Sequence, residues 1–142
     1  MARKYVGAAL AGALALATIP SDAAATEGQR APYVVSGHCY ADGEDFTVTL
    51  RYITGDTDEW YVDYMTYTIN NDATYNNVVL RVRDTDNHTY WQWTSGDDVT
   101  GGVSHRKEVD TYVPKAKATY GYGWVNADQP VDSTCSTRTT TF

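Results

Sequence analysis

Phe46-Thr47-Val48-Thr49-Leu50-Arg51-Tyr52 alternates apolar and polar side chains without a break. In an extended chain successive side chains point to opposite faces. Phe46, Val48, Leu50 and Tyr52 therefore share one face, and Thr47, Thr49 and Arg51 the other. This is the period of a half-buried β-strand; the apolar stripe of a helix recurs every three to four residues instead. The same period returns where Val78, Leu80 and Val82 oppose Val79, Arg81 and Arg83. It returns again where Ala116, Ala118, Tyr120, Tyr122 and Trp124 oppose Lys117, Thr119, Gly121 and Gly123. Thr, Val and Tyr, which suit a pleated surface, dominate throughout, and no helical pattern longer than two turns interrupts them.

Turn-forming residues punctuate these runs at Asp42-Gly43, Gly55-Asp56, Asn70-Asn71-Asp72, Asp86-Asn87, Ser95-Gly96-Asp97-Asp98, Val113-Pro114 and Gln129-Pro130. Between them the sequence predicts eight strands, near 33–41, 46–54, 60–70, 76–84, 88–94, 103–110, 115–125 and 133–141. Short strands joined by short polar loops predict an all-β fold: a single antiparallel β-sandwich of Ig-like, Greek-key type.

The amino terminus reads as an address. Arg3 and Lys4 precede an uncharged stretch from Tyr5 to Ile19, and Ala23-Ala24-Ala25 follows. Charge, apolar stretch and small-residue cleavage site occur in the order of a secretory signal peptide. The uncharged stretch is 15 residues long, short of the ~20 that a spanning helix needs. Residues 1–25 are expected to be removed on export, with no membrane insertion of what remains; 26–32 form a loose leader and 33–142 the sandwich. The full chain has 11 Lys+Arg against 18 Asp+Glu, a formal charge of −7. Cleavage removes Arg3, Lys4 and Asp22, which leaves 117 residues and a charge of −8. Such a chain lacks the basic excess that replaces counterions on phosphate, so it reads as no nucleic-acid binder.

Cys39 and Cys135 stand near opposite ends of the exported chain and are expected to form one disulfide in an oxidising compartment. If consecutive strands reverse direction, the loops after odd-numbered strands gather at one end of the sandwich and those after even-numbered strands at the other. Cys39 closes the first strand and Cys135 opens the eighth, so both fall at the first end, within reach of each other.

The same parity sends the two Asp-Thr-Asp segments, Asp56-Thr57-Asp58 and Asp84-Thr85-Asp86, to the second end. Asp56, Asp58, Asp84 and Asp86 offer hard oxygen ligands of the kind Ca²⁺ takes, and a calcium-stabilised loop end is one expectation. The other is that Asp occupies turns because it accepts turn geometry and bonds its own backbone. Of the tryptophans, Trp60, Trp91 and Trp93 are candidates for an aromatic platform, since exposed indoles stack on sugar rings and anchor interfaces. Core filling is the competing role, because the chain has only two Phe residues. Trp124, if it turns inward, would lie near the disulfide. His38, His88 and His105 show no metal-ligand spacing. Ser104 and His105 are adjacent in a strand and point to opposite faces, so they form no nucleophile–base pair.

Tyr67–Arg83 (YTINNDATYNNVVLRVR) and Pro130–Thr137 (PVDSTCST), with the alanine-rich leader and the terminal-to-terminal cysteine pair, resemble small exported β-sandwich proteins of actinobacteria. The resemblance implies fold and export and carries no activity. The sequence thus predicts a secreted, non-enzymatic binding or structural module for an extracellular protein or glycan. A carbohydrate-binding module and an inhibitor of a secreted enzyme, presenting Ser95–Gly102 as a rigid loop, are the alternatives. No cofactor other than Ca²⁺ is expected.

Overall fold

The computed structural model describes residues 31–127 and 133–142; the expected signal segment 1–25, residues 26–30 of the expected leader and the expected Gln129-Pro130 break lie outside the described residues. Eight strands follow one another: β1 (Tyr33–Ala41), β2 (Glu44–Thr54), β3 (Glu59–Ile69), β4 (Asn77–Asp84), β5 (Thr89–Thr94), β6 (Ser104–Pro114), β7 (Thr119–Ala127) and β8 (Ser133–Arg138). They form two antiparallel sheets of four strands: sheet I in the order β1-β2-β3-β6, sheet II in the order β5-β4-β7-β8. Hairpins join β1 to β2, β2 to β3, β4 to β5 and β7 to β8. The chain changes sheet after β3, β5 and β6, so β3 pairs with β6 and β4 with β7 across the crossings. This interlocking is how a sandwich of Greek-key type buries both inner faces.

The alternation that opens the sequence is the core. Phe46, Val48 and Leu50 of β2 are at most 1% exposed, as are Val78, Leu80 and Val82 of β4. Val62, Met65, Tyr67 and Ile69 complete the inner face of sheet I. Each such side chain contributes ~1.5–3 kcal/mol by leaving water. Asp42 and Gly43, both with positive φ (51° and 93°), make the two-residue turn between β1 and β2.

Strand β7 solves a packing problem in an unexpected direction. Tyr120, Tyr122 and Trp124 do share a face, but it is the outer one, where Tyr122 and Trp124 are half-buried and Tyr120 is covered; the glycines face in. A Cβ on Gly123 would sit 2.8 Å from Phe46 Cε1, and one on Gly121 would sit 3.0 Å from Met65 Cε and 3.1 Å from Leu50 Cδ1. The Phe46 ring and Leu50 of β2, with Met65 of β3, occupy the space that side chains of β7 would need. Trp124 accordingly does not pack toward the disulfide.

Several boundaries differ from the sequence reading: β8 ends at Arg138 rather than at 141, and β6 and β7 change most. β6 does not stop at Asp110 but runs on to Pro114, and residues 115–118 are its turn into β7 rather than the start of that strand. The β3–β6 register shifts between Val62 and Tyr64, and Asp110 adopts φ 46°, so a bulge lies inside the paired strands rather than at their end. β6 keeps its alternation across it, with Val109 and Val113 both buried, and the period breaks in β3, where Val62 and Met65 are both buried.

Cys39 and Cys135 are bonded, with Cα atoms 6.1 Å apart. The bridge ties edge strand β1 of sheet I to edge strand β8 of sheet II. Thr137 Oγ1 donates to the His38 carbonyl beside it at 3.0 Å. A disulfide of this kind fits an oxidising compartment.

Candidate functional site

The end-to-end parity holds in the structure, and it places both Asp-Thr-Asp turns against the 115–118 turn. Lys115 N donates to the Asp58 carbonyl (2.8 Å), and its Nζ donates to the carbonyls of Asp56 (2.8 Å) and Thr57 (3.1 Å). Lys117 forms an ion pair with Asp86. Asp84 is 2% exposed and is an acceptor for the turn itself: its Oδ1 takes the N–H groups of Asp86 and His88, both at 2.9 Å, and its Oδ2 takes the Tyr90 hydroxyl at 2.9 Å. Burial pushes the Asp84 carboxyl up, but the His88 N–H, the Tyr90 hydroxyl and the Asp86 N–H outweigh it and hold the group below the usual carboxylate range. Asp56 and Asp58 remain exposed at the turn tip. The four acids share an end of the molecule, yet two of them already face a lysine or their own turn.

The three carboxylates that do converge lie elsewhere. On the outer side of sheet I, ligand oxygens of Asp63, Glu108 and Asp110 lie within 4.8 Å of one another. Each has a partner: Asp63 pairs with Arg51, Glu108 accepts from Arg106 Nε (2.6 Å) and Nη2 (3.0 Å), and Asp110 Oδ1 accepts from the Tyr61 hydroxyl (2.7 Å). Alternation puts Glu108 and Asp110 on the same outer face of β6, and the β3–β6 bulge adds Asp63.

Trp60, Trp91 and Trp93 are half-buried on the inner side of their strands, against the core. Trp60 closes one end of the sandwich with Tyr52, Tyr33 and Phe142, and the Lys115 ammonium lies 4.8 Å from its ring. Trp91 and Trp93 line the seam where β5 approaches β6; Lys107 Nζ lies 4.1 Å from the Trp93 ring. They belong to different parts of the molecule and form no common plane with Trp60.

Both outer faces carry rings, with Tyr61, Tyr64 and Tyr112 on sheet I; on sheet II the register of the strands lays them out in rows. Gln92, Arg81, Tyr122 and Arg138 stand side by side across β5, β4, β7 and β8. The next row toward the disulfide end is Thr94, Val79, Trp124 and Ser136; the row on the other side holds Thr89, Arg83 and Tyr120. Arg81 donates from Nε to Gln92 Oε1 (2.7 Å), and its guanidinium carbon lies 5.7 Å from the Tyr122 ring centre. Arg138 lies 5.8 Å from the Tyr120 ring centre. Arg83 reaches the Asn87 carbonyl and side chain at 3.3 Å. No strand position in these rows is an Asp or Glu. None of the three arginines pairs with a carboxylate among the described residues. A flat surface of rings, hydroxyls, amides and acid-free guanidinium groups can stack on a planar or sugar ring, and it can offer paired N–H donors to an anion.

The alternating pattern showed which residues of β7 share a face; that the face is external needed the opposing bulk of Phe46 and Leu50. The chain matches no known family model, no characterised protein and no solved structure. The site must therefore be interpreted from its own chemistry.

Proposed function

We propose that the chain is an exported, non-catalytic binding module, and that it contacts an extracellular partner through the outer face of sheet II. The observation that carries this reading is the acid-free row Arg81–Tyr122–Arg138, with Trp124 beside it, in a chain whose overall charge is −7. Elsewhere arginines are matched with acids: Arg51 with Asp63 and Arg106 with Glu108. Three guanidinium groups with no acid partner among the described residues leave their charge for a partner. The disulfide and the leader-like segment 1–25 support export.

The test is a retention assay on a panel of neutral polysaccharides, acidic polysaccharides and secreted proteins. It compares the native protein with R81E/W124S, which alters this face, and R106E, which alters the opposite one. The expected result is that some partner retains the native protein and R106E, but not R81E/W124S. Retention that all three share, or retention of none on the whole panel, overturns the reading. Circular dichroism confirms that each variant is folded.

A further inference from the structure

The chemistry of this face selects among partners. A protein interface of ordinary stability has an apolar centre, and the most exposed large apolar side chains of this chain are elsewhere: Tyr33, Val34 and Tyr40 on β1, Tyr75 and Val103 in loops, and Tyr112 on β6. In its row the half-buried Trp124 stands between Val79 and Ser136, with Thr94 beyond Val79 on β5. That arrangement suits a pyranose, whose C–H face stacks on the indole while its hydroxyls meet Ser136 beside it.

The arginines add a requirement for charge. Arg81 and Arg138 flank Tyr122 on the two neighbouring strands, so their positions are two strand spacings apart, roughly 10 Å. Their planar forks match carboxylates in a bidentate manner. A linear polymer that bears a carboxylate on its sugars presents anions at intervals a pair of arginines can meet. A duplex nucleic acid, with one charge per ~1.7 Å, needs a continuous basic stripe. Here the ends of the face run into acid instead: Asp97 accepts from Asn77 Nδ2 at one end, and the exposed Asp86 lies at the other. A short island of positive charge between acidic ends fits a sparsely charged strand.

We infer that the outer face of sheet II binds an acidic polysaccharide of the polyuronate class, stacking its sugar rings on Trp124 and Tyr122 and holding its carboxylates with Arg81 and Arg138. This inference rests on the reading of that face as the contact surface and adds the chemical class of the ligand.

The experiment is affinity electrophoresis of the native protein in gels containing polygalacturonate, its fully methyl-esterified form, or dextran sulfate. Esterification keeps the backbone and removes the charge. Polygalacturonate is expected to retard the protein. The ester is expected to bind at least about tenfold more weakly, as the loss of a charge-assisted contact implies. R81Q and R138Q are each expected to weaken polygalacturonate binding by about tenfold, and R106Q on the opposite sheet to leave it unchanged. Glutamine keeps much of the side-chain volume, so these variants fold; W124S, which removes a ring, is read alongside them as a second probe of the same surface. Equal retardation by the ester overturns the inference, as does retardation by dextran sulfate alone or by none of the three polymers. In those cases the contact-surface reading still stands if R81E/W124S abolishes retention by another member of the wider panel. It falls with the inference only if no binding depends on this face.

Discussion

The two outer faces use the same residue types to opposite effect. On sheet I, Arg51 and Arg106 flank the Tyr64 ring at 5.5 and 3.7 Å, and each is also tied to an acid, Asp63 or Glu108. On sheet II, Arg81 and Arg138 lie over Tyr122 and Tyr120 and pair with no acid among the described residues. Stacking on a ring is therefore not what distinguishes the faces. The difference is whether the guanidinium charge is consumed within the protein. A closed network stabilises its own sheet and offers little to a partner. An open one adds little to the fold and leaves its donors for an anion.

That contrast requires both sheets to be held at fixed faces, and the largest expected effect is on what holds them. The disulfide joins residues 96 apart in sequence and sits between the free edges of β1 and β8. Replacing both cysteines with serine is expected to cost about 4–5 kcal/mol by the chain-entropy argument, measured as a shift of the urea midpoint. A shift near zero would mean that the β1–β8 edge is already held by its backbone approach, which is close at Gly37 and Arg138. Next in size is Gly123→Val. Its Cβ would meet the Phe46 ring at 2.8 Å, and the strain is expected to cost about 1–3 kcal/mol. Trp124→Ser, one residue along but on the outer side, is expected to cost less. If the order is reversed, the indole is a core residue and the surface assigned to sheet II is not there.

This pair of neighbours also shows where sequence reasoning stops. Period-two alternation reports that Tyr120, Tyr122 and Trp124 are on the same side of β7, and it is silent on which side. For β2 the ambiguity resolves itself, because Thr47, Thr49 and Arg51 are polar and their opposites are not. For β7 both sides look plausible: large rings suggest a core, and glycines suggest nothing. The answer comes from Phe46, Leu50 and Met65 across the interface, residues distant in sequence. The meeting of the Asp-Thr-Asp turns at one end was legible because strand reversal fixes it by counting. The Asp63–Glu108–Asp110 cluster was legible only in part: alternation puts Glu108 and Asp110 on one face of β6, but Asp63 joins them through the irregularity in β3 between Val62 and Met65. The signal that betrays the bulge is Asp110 itself, one of the residue types that tolerate positive φ.

Titration sharpens the comparison from inside the sandwich. Burial, with the Asp98 charge, pushes the Tyr67 hydroxyl up to about 12, and burial, with the hydrogen bond to Asp84, pushes Tyr90 up to about 12. A raised phenol contributes stability that is fully present below the unfolded value near 10 and is lost as pH rises through the folded one. Phenolate absorbance is therefore expected to show a late step near 12, with stability falling between about 10 and 12. Asp84 works in the other direction: its depressed carboxyl gives stability present above about 3.9 and lost as pH falls through the folded value. Asp84→Asn is expected to flatten the acid limb and to move the Tyr90 step back toward 10 while the Tyr67 step stays. Coincident movement of both steps would show that the variant has loosened the core as a whole.

The smallest expected effect bears most directly on the two faces. Double-mutant cycles on Arg106–Glu108 in sheet I and on Arg81–Tyr122 in sheet II separate an ion pair from a cation stacked on a ring. The ion pair is exposed, so its coupling is expected to vanish at about 1 M salt, where screening acts within ~3 Å. The stacked pair draws on the ring quadrupole at short range and is expected to keep most of its about 0.5–1 kcal/mol in the same salt. A salt-insensitive coupling in sheet II places the Arg81 guanidinium over Tyr122 in solution, poised beside the indole of Trp124 with its outer N–H groups unspent. No measurable coupling there would mean that the side chain is free in water. The two faces would then differ only in how many acids they carry, and ordering the arginine on binding would cost affinity.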